Sequence, residues 1–297
     1  GSINTSGTNI RDNTTVIGTL SASEGTVTNG TALTITFNAS ATNALVQQVL
    51  RAISYRTTSD DPGTSNRTIT LTATDDDAES SNDTRTVALT ALNDQPTLSA
   101  TLSNPTFTQG GSAASIFSSA AVSSIESGQT LTALSLTVSN VNDGSDEVLS
   151  FDGSNLQLTN GFNVASTTTN GLDVSVTVAG TTATVSFSGE ALSAASIQTL
   201  VDGISYSNTA APPNTTSRAV TITSLTDSGL NSGSNDNVNS TVAVSSTVTV
   251  VKLAPSTTSA TYDASSGDLV VTGANFEAKS GVTNDILVAG LTLTGEG

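Results

Sequence analysis

The chain of 297 residues contains no cysteine, no histidine, no methionine and no tryptophan. Without cysteine it has no disulfide, no thiol nucleophile and no thiolate metal site, and Cys/His zinc clusters are excluded. Without histidine it has no Ser-His-Asp triad and no imidazole general base. Cations are scarce: Lys and Arg total 8 against 25 Asp and Glu, a formal net charge of -17. Such a balance repels phosphate, so no nucleic-acid partner is expected. Aromatic residues make up 3%, with three tyrosines, which leaves little to stack against a sugar ring. No run approaches the roughly 18 apolar residues of a membrane-spanning helix. The start, Gly1-Ser2-Ile3-Asn4, lacks the basic and apolar regions of a signal peptide.

What is present is serine and threonine, about a third of the chain. They alternate with Val, Ile and Leu. Leu33–Phe37, Thr68–Thr72, Leu134–Val138, Val174–Val178, Val220–Ile222, Thr247–Val250 and Leu291–Thr294 all follow a period of two. That period belongs to strands with one buried and one wet face, and Thr suits the wet face because it is β-branched yet polar. Turn signals such as Asn29-Gly30, Asp152-Gly153 and Asn170-Gly171 separate the strands. The reading is an all-β chain of tandem antiparallel β-sandwich modules. Two segments break the pattern. Asn43–Ala52 and Ser193–Val201 place apolar residues at helical spacing, with Thr42 or Asn43 and Ser193 as N-caps. Each is a helix of about two turns, too short to stand alone, so it packs on a sheet.

These helices belong to an internal repeat. Ile53, Tyr55, Pro62, Arg67 and Thr72 recur as Ile204, Tyr206, Pro213, Arg218 and Thr223, each 151 residues later. An ungapped match across helix end, loop and strand marks two related modules, each with one short helix. Pro96 and Pro255 follow matching strands and read as module starts. The expected division is a module over 1–95, N-terminally shortened, a larger one over 96–252, and the start of a third over 253–297. Both ends read as cut from a longer array.

The segments Thr70–Asp77 and Val87–Thr97, ending in Leu92-Asn93-Asp94-Gln95-Pro96, resemble the module ends of bacterial cadherin-like and Ig-like repeats. Leu50–Tyr55 is similar to a helix-containing variant of such modules. The resemblance covers most of residues 30–97 and 185–255. It implies a stalk, spacer, coat or adhesive surface in a giant secreted protein, such as an RTX-type adhesin or an S-layer-like protein, often stiffened by calcium. The chain departs from the cadherin pattern at Ala91, where an Asp would stand, and at Gln95. Its second junction, Val250–Pro255, carries no acid.

Calcium is the cofactor expected, because hard cations take clustered carboxylate and amide oxygens. The first candidate cluster is Asp75, Asp76, Asp77, Glu79 and Asp83 with Asn93 and Asp94, and Asp60 and Asp61 lie in a nearby loop of the same repeat. A second is Asn142, Asp143, Asp146 and Glu147; a third is Asp227, Asn235 and Asp236. The competing reading of each is a solvated acidic turn. Tyr55 and Tyr206 read as core or corner tyrosines with a bonded hydroxyl. Arg67 and Arg218 are expected to tie a loop to a strand through a carboxylate or carbonyl. No catalytic residue is expected, since carboxylate pairs sit in turns beside Asn and Gly. The function expected is a structural or interaction segment of an extracellular or bacterial cell-surface repeat protein, its partners being neighbouring modules, identical subunits or surface ligands. Two alternatives stand beside it: a filament or sheet subunit joined by strand complementation, and a carbohydrate-binding module.

Overall fold

An alternating stretch becomes a strand when every second side chain can leave water while its Thr or Ser neighbour stays solvated. The computed structural model describes residues 2–230 and 237–276. It is mostly β, with 47% of residues in strands and 9% helical, in several antiparallel sheets. The expected strand at Leu291–Thr294 lies outside the described residues, as do Asn235 and Asp236. The chain divides into two compact units, Gly1–Leu89 and Thr90–Gly297.

Unit 1 holds strands β1 (Ile3–Ser6), β2 (Asn9–Asp12), β3 (Thr15–Leu20) and β4 (Ile35–Phe37), helix α1 (Asn43–Arg51), then β5 (Arg67–Thr74) and β6 (Ser80–Val87). The first four strands form an antiparallel sheet in chain order. Gly18 lets β3 and β4 approach: a Cβ there would lie 2.7 Å from the Thr36 carbonyl oxygen. Helix α1 starts where the Thr42 hydroxyl accepts from the Leu45 amide at 3.4 Å, satisfying one of the helix's orphan donors. It lays Leu45 and Val49 on Ile10, Ile17 and Leu20. Strands β5 and β6 pair with each other, from Arg67↔Val87 to Thr74↔Ser80, as a two-stranded hairpin.

Unit 2 begins with β7 (Thr97–Leu102), β8 (Thr106–Thr108), β9 (Ala114–Ser115), β10 (Phe117–Ser123) and β11 (Leu131–Val138). Next come β12 (Glu147–Phe151), β13 (Ser154–Gln157), β14 (Asn163–Val164), β15 (Val174–Ala179) and β16 (Thr182–Leu192). Helix α2 (Ala194–Asp202) leads to β17 (Ser205–Asn208), β18 (Arg218–Asp227), β19 (Val238–Asn239) and β20 (Val244–Val251). The hairpin β21 (Ser256–Asp263) and β22 (Asp268–Ala274) follows. An eight-stranded sheet runs β14-β15-β16-β11-β18-β20-β8, with β19 paired to β18. All of its pairs are antiparallel except β20 with β8. A four-stranded sheet runs β13-β12-β17-β9, and β10 pairs with β7. Both larger sheets feed one apolar cluster, with Leu134, Leu136, Val185 and Ile222 from the first and Leu149, Phe151, Leu156 and Tyr206 from the second. Helix α2, capped by the Ser193 hydroxyl at the Ser196 amide (3.0 Å), adds Ile197, Leu200 and Val201 to it.

One irregularity in β18 decides which side chains face that cluster. Leu136 pairs with Ile222 and Ser135 with Ser224, so Thr223 is an extra residue on β18. Its hydroxyl donates to the Ser135 carbonyl at 3.1 Å. Before the bulge the buried positions are Arg218, Val220 and Ile222; after it they are Leu225 and Asp227. The added residue reverses the alternation and turns Asp227 inward in place of Thr226.

Candidate functional site

Glu147 opens β12 in the smaller sheet, and Arg218 opens β18 in the larger one. Both side chains are wholly buried. The guanidinium grips the carboxylate with two bonds, Nε to Oε2 at 2.8 Å and Nη2 to Oε1 at 2.9 Å. The fork geometry of Arg is matched to a carboxylate in this way. Three further donors converge on Glu147: the Tyr206 hydroxyl at 2.7 Å and the Asn142 and Asp143 amides at 2.7 and 2.9 Å. Arg218 also donates to the Thr216 carbonyl and to Asp143 Oδ2, the latter at 3.3 Å. The Tyr206 ring meets Phe107 of β8 edge-on, with centroids 5.7 Å apart. The result is a charge clasp between two sheets, with its ends anchored in backbone.

The electrostatics follow from this geometry. Burial raises the pKa of Glu147, but bonds from Arg218, the Asp143 backbone and Tyr206 outweigh it and leave the carboxyl below its ordinary value. Burial and the Glu147 charge hold the Tyr206 phenol protonated well above its usual range. Burial alone would lower the Arg218 pKa, yet the bond to Glu147 leaves it raised. A depressed carboxylate stabilises the fold above its unfolded pKa and loses that contribution as pH falls through the folded value. Asp227, whose pKa is raised, acts in the opposite sense, so the difference between wild type and Glu147→Gln isolates the clasp. We expect the wild-type urea midpoint to fall more steeply than the variant's as pH drops below 4.5, the ordinary Glu value. Parallel slopes in urea melts over that range would show that Glu147 binds protons alike in the native and unfolded states, against a depressed carboxyl.

The residues expected to gather calcium fall into separate environments. Asp143 Oδ2 accepts from Asn208 Nδ2 at 2.7 Å, the Asn214 amide at 2.8 Å and Arg218. Asp146 accepts the Thr209 amide on its carbonyl and the Thr209 hydroxyl on Oδ1. Internal donors thus occupy this second cluster. Asp75 and Asp77 lie in the β5–β6 turn, where Asp75 Oδ1 accepts from the Asp77 and Glu79 amides at 3.2 and 2.9 Å. Asp83 pairs with Arg85 on exposed β6. Asp60 and Asp61 lie on the exposed segment between α1 and β5.

Asn93 and Asp94 belong to unit 2 and enter a different cluster. Asn93 Nδ2 donates to Asp227 Oδ1 at 3.2 Å, and Gln129 Nε2 donates to Asn93 Oδ1. The Asp94 amide donates to Glu126 Oε1 at 2.6 Å. The Asp227 amide bonds to the Asn237 carbonyl at 3.0 Å. Glu126 and Asp227 are at least nine-tenths buried. Among the described residues, Glu126 Oε2, Gln129 Oε1, Asp227 Oδ2 and Asn237 Oδ1 are buried oxygens without a hydrogen-bond donor. Burial lifts the Asp227 pKa and the nearby Glu126 charge adds to that, against bonds from Gly229 and Asn93 that lower it. Acceptors outnumber donors at this spot, which is the reverse of the clasp. Glu126 and Gln129 carry no sequence signal: they sit in a polar loop without metal-ligand spacing. Among the described residues no group of three or more Asp, Glu, His or Cys is placed to hold a metal. Two carboxylates here are joined instead by amide oxygens.

The repeat-equivalent residues of unit 1 differ. Arg67 donates from Nη1 to the Ser65 carbonyl, as Arg218 does to Thr216, and from Nη2 to the Gly63 carbonyl at 3.2 Å. Tyr55, expected in a core, is 40% exposed. Its segment has no strand partner: residues 54–57 are irregular, whereas Tyr206 pairs with Leu149 and Ala114. Among the described residues no helix is long and apolar enough to cross a membrane. No family model matches the chain, and no curated protein matches it.

Proposed function

We propose that the chain is a non-catalytic structural and interaction segment of a bacterial extracellular or cell-surface repeat protein. Its modules are antiparallel β-sandwiches of Ig- or cadherin-like kind, stiffened by calcium. The observation that carries this reading is the set of four donor-free buried oxygens on Glu126, Gln129, Asp227 and Asn237, beside Asn93 and Asp94 at the start of unit 2. A buried carboxylate oxygen without a donor costs about 1–3 kcal/mol or more. A hard cation removes that cost and favours the charged form of both acids. Glu126, Asp227, Asn93, Gln129 and Asn237 would hold it, and its chemistry there is electrostatic cross-linking of the Asn93–Asp94 segment to the end of β18. The high acidity, the absence of cysteine and the 151-residue repeat support the same setting, an exported array that needs neither disulfides nor a redox-active group.

Calorimetric titration of the whole chain with calcium tests it. Binding is expected, together with a melting temperature several degrees higher in calcium than in chelator, by linkage. Asp227→Asn should remove both effects while leaving the apo melting temperature unchanged or raised, because it deletes a buried charge. No heat of binding and no effect of chelator would refute the calcium reading.

A further inference from the structure

The repeat places the same side chains in two different environments. Ile204, Tyr206, Val220 and Ile222 are 0% exposed in unit 2. Their partners 151 residues earlier, Ile53, Tyr55, Ile69 and Leu71, are 44%, 40%, 37% and 40% exposed. In unit 2 the cover is supplied by β11, which pairs along β18 through Val138↔Val220 and Leu136↔Ile222, and by β12, which brings Glu147 to Arg218 and Tyr206. Among the described residues, β5 pairs with β6 alone, so its other edge carries no strand. Arg67, Ile69 and Leu71 alternate along β5 and share one face, as Arg218, Val220 and Ile222 do along β18. Arg67 is already braced at the carbonyl of Ser65, the repeat equivalent of Thr216.

We propose that the open edge of β5, with its face of Arg67, Ile69 and Leu71, receives an extended polypeptide segment with the chemistry of residues 131–151. That chemistry is alternating apolar residues along the first strand, then a turn, then a glutamate that pairs with Arg67 and the Tyr55 hydroxyl. The mode is strand addition: main-chain bonds to the edge give affinity, and the alternating pockets and the single carboxylate give specificity. A second copy of this chain is not the occupant, because its own β11 and β12 are committed to the unit 2 cluster. The occupant is a separate segment of kindred repeat sequence that carries the same alternation and the matching glutamate. The complementarity is specific in charge: Arg85 and Asp83 of β6, opposite Ile69 and Leu71 on the same face, are paired with each other, which leaves the Arg67 guanidinium, bonded to backbone carbonyls, for the incoming carboxylate.

The test is titration of the whole chain with a synthetic peptide of residues 131–151, read by hydrogen exchange. Protection is expected at the backbone amides of residues 67–74 and around Tyr55, without loss of protection in unit 2. Changing Glu147 to Gln in the peptide, or Arg67→Ala in the protein, should weaken binding by roughly tenfold or more. A peptide with the same composition in scrambled order should not bind. A second arm joins the same peptide to the N-terminus through a flexible Gly/Ser linker, where protection of residues 67–74 should become independent of concentration. The proposal is overturned if neither arm protects β5 up to about 1 mM peptide, or if the scrambled peptide protects equally. It is also overturned if the chain alone dimerises through this face. All arms are run in calcium and in chelator, so failure here is separable from failure of the calcium reading.

Discussion

Arg218→Ala is expected to destabilise unit 2 by about 3–5 kcal/mol, because removing one partner of a buried ion pair strands the other. Glu147 would then keep the Tyr206 hydroxyl and two backbone amides as donors, yet lose the full positive charge of the guanidinium paired with it. For a unit of this size that loss corresponds to a drop in melting temperature of roughly 10 °C. The double variant Arg218→Met with Glu147→Leu should recover most of the stability, since a buried pair is often no better than well-packed apolar residues of similar volume. Urea unfolding of the single and double variants measures both. A single-variant loss under about 1 kcal/mol would mean that water reaches Glu147 when the guanidinium is removed.

The second large effect is a contrast between repeat-equivalent positions. Ile222→Ala removes a fully buried side chain from the middle of β18, between β11 and β20. It should cost about 2–5 kcal/mol through lost burial and the cavity left behind. Leu71→Ala, at the matching position of β5, should change stability by no more than about 0.5 kcal/mol. Scanning calorimetry of the two variants beside wild type gives both numbers. Equal losses would show that Leu71 is covered in solution, and with it the whole β5 face.

The strands were legible because solvent enforces the pattern. Where one face is wet and one dry, residues such as those of Leu134–Val138 must alternate, and they do so in β11 with Leu134, Leu136 and Val138 buried. The helices were legible for a related reason. Thr42 and Ser193 carry the hydroxyls that helix starts need, and both hydroxyls accept the amide three residues on. Arg218 ties its preceding loop to a strand as its repeat position suggests, but its main partner is Glu147, which spacing in the chain groups with Asp143 and Asp146 as a cation ligand. Local spacing shows that carboxylates are near one another in the chain. It does not show whether an Arg 71 residues away arrives among them.

Sequence by itself determined a mostly β chain with antiparallel sheets, two short capped helices, and a repeat that pairs residues 151 apart. These depend on local periodicity, caps and turn residues, all of which are written in short stretches of chain. Tertiary structure alone decided three matters. It decided that Tyr206 is buried while Tyr55 is exposed, because burial needs strands contributed from elsewhere in the chain. It decided that Asp227 faces inward, through one extra residue at Thr223 that no periodicity announces. And it decided that Glu126, Gln129 and Asn93 join Asp227, because oxygens so far apart in the chain converge only once the sheets have packed.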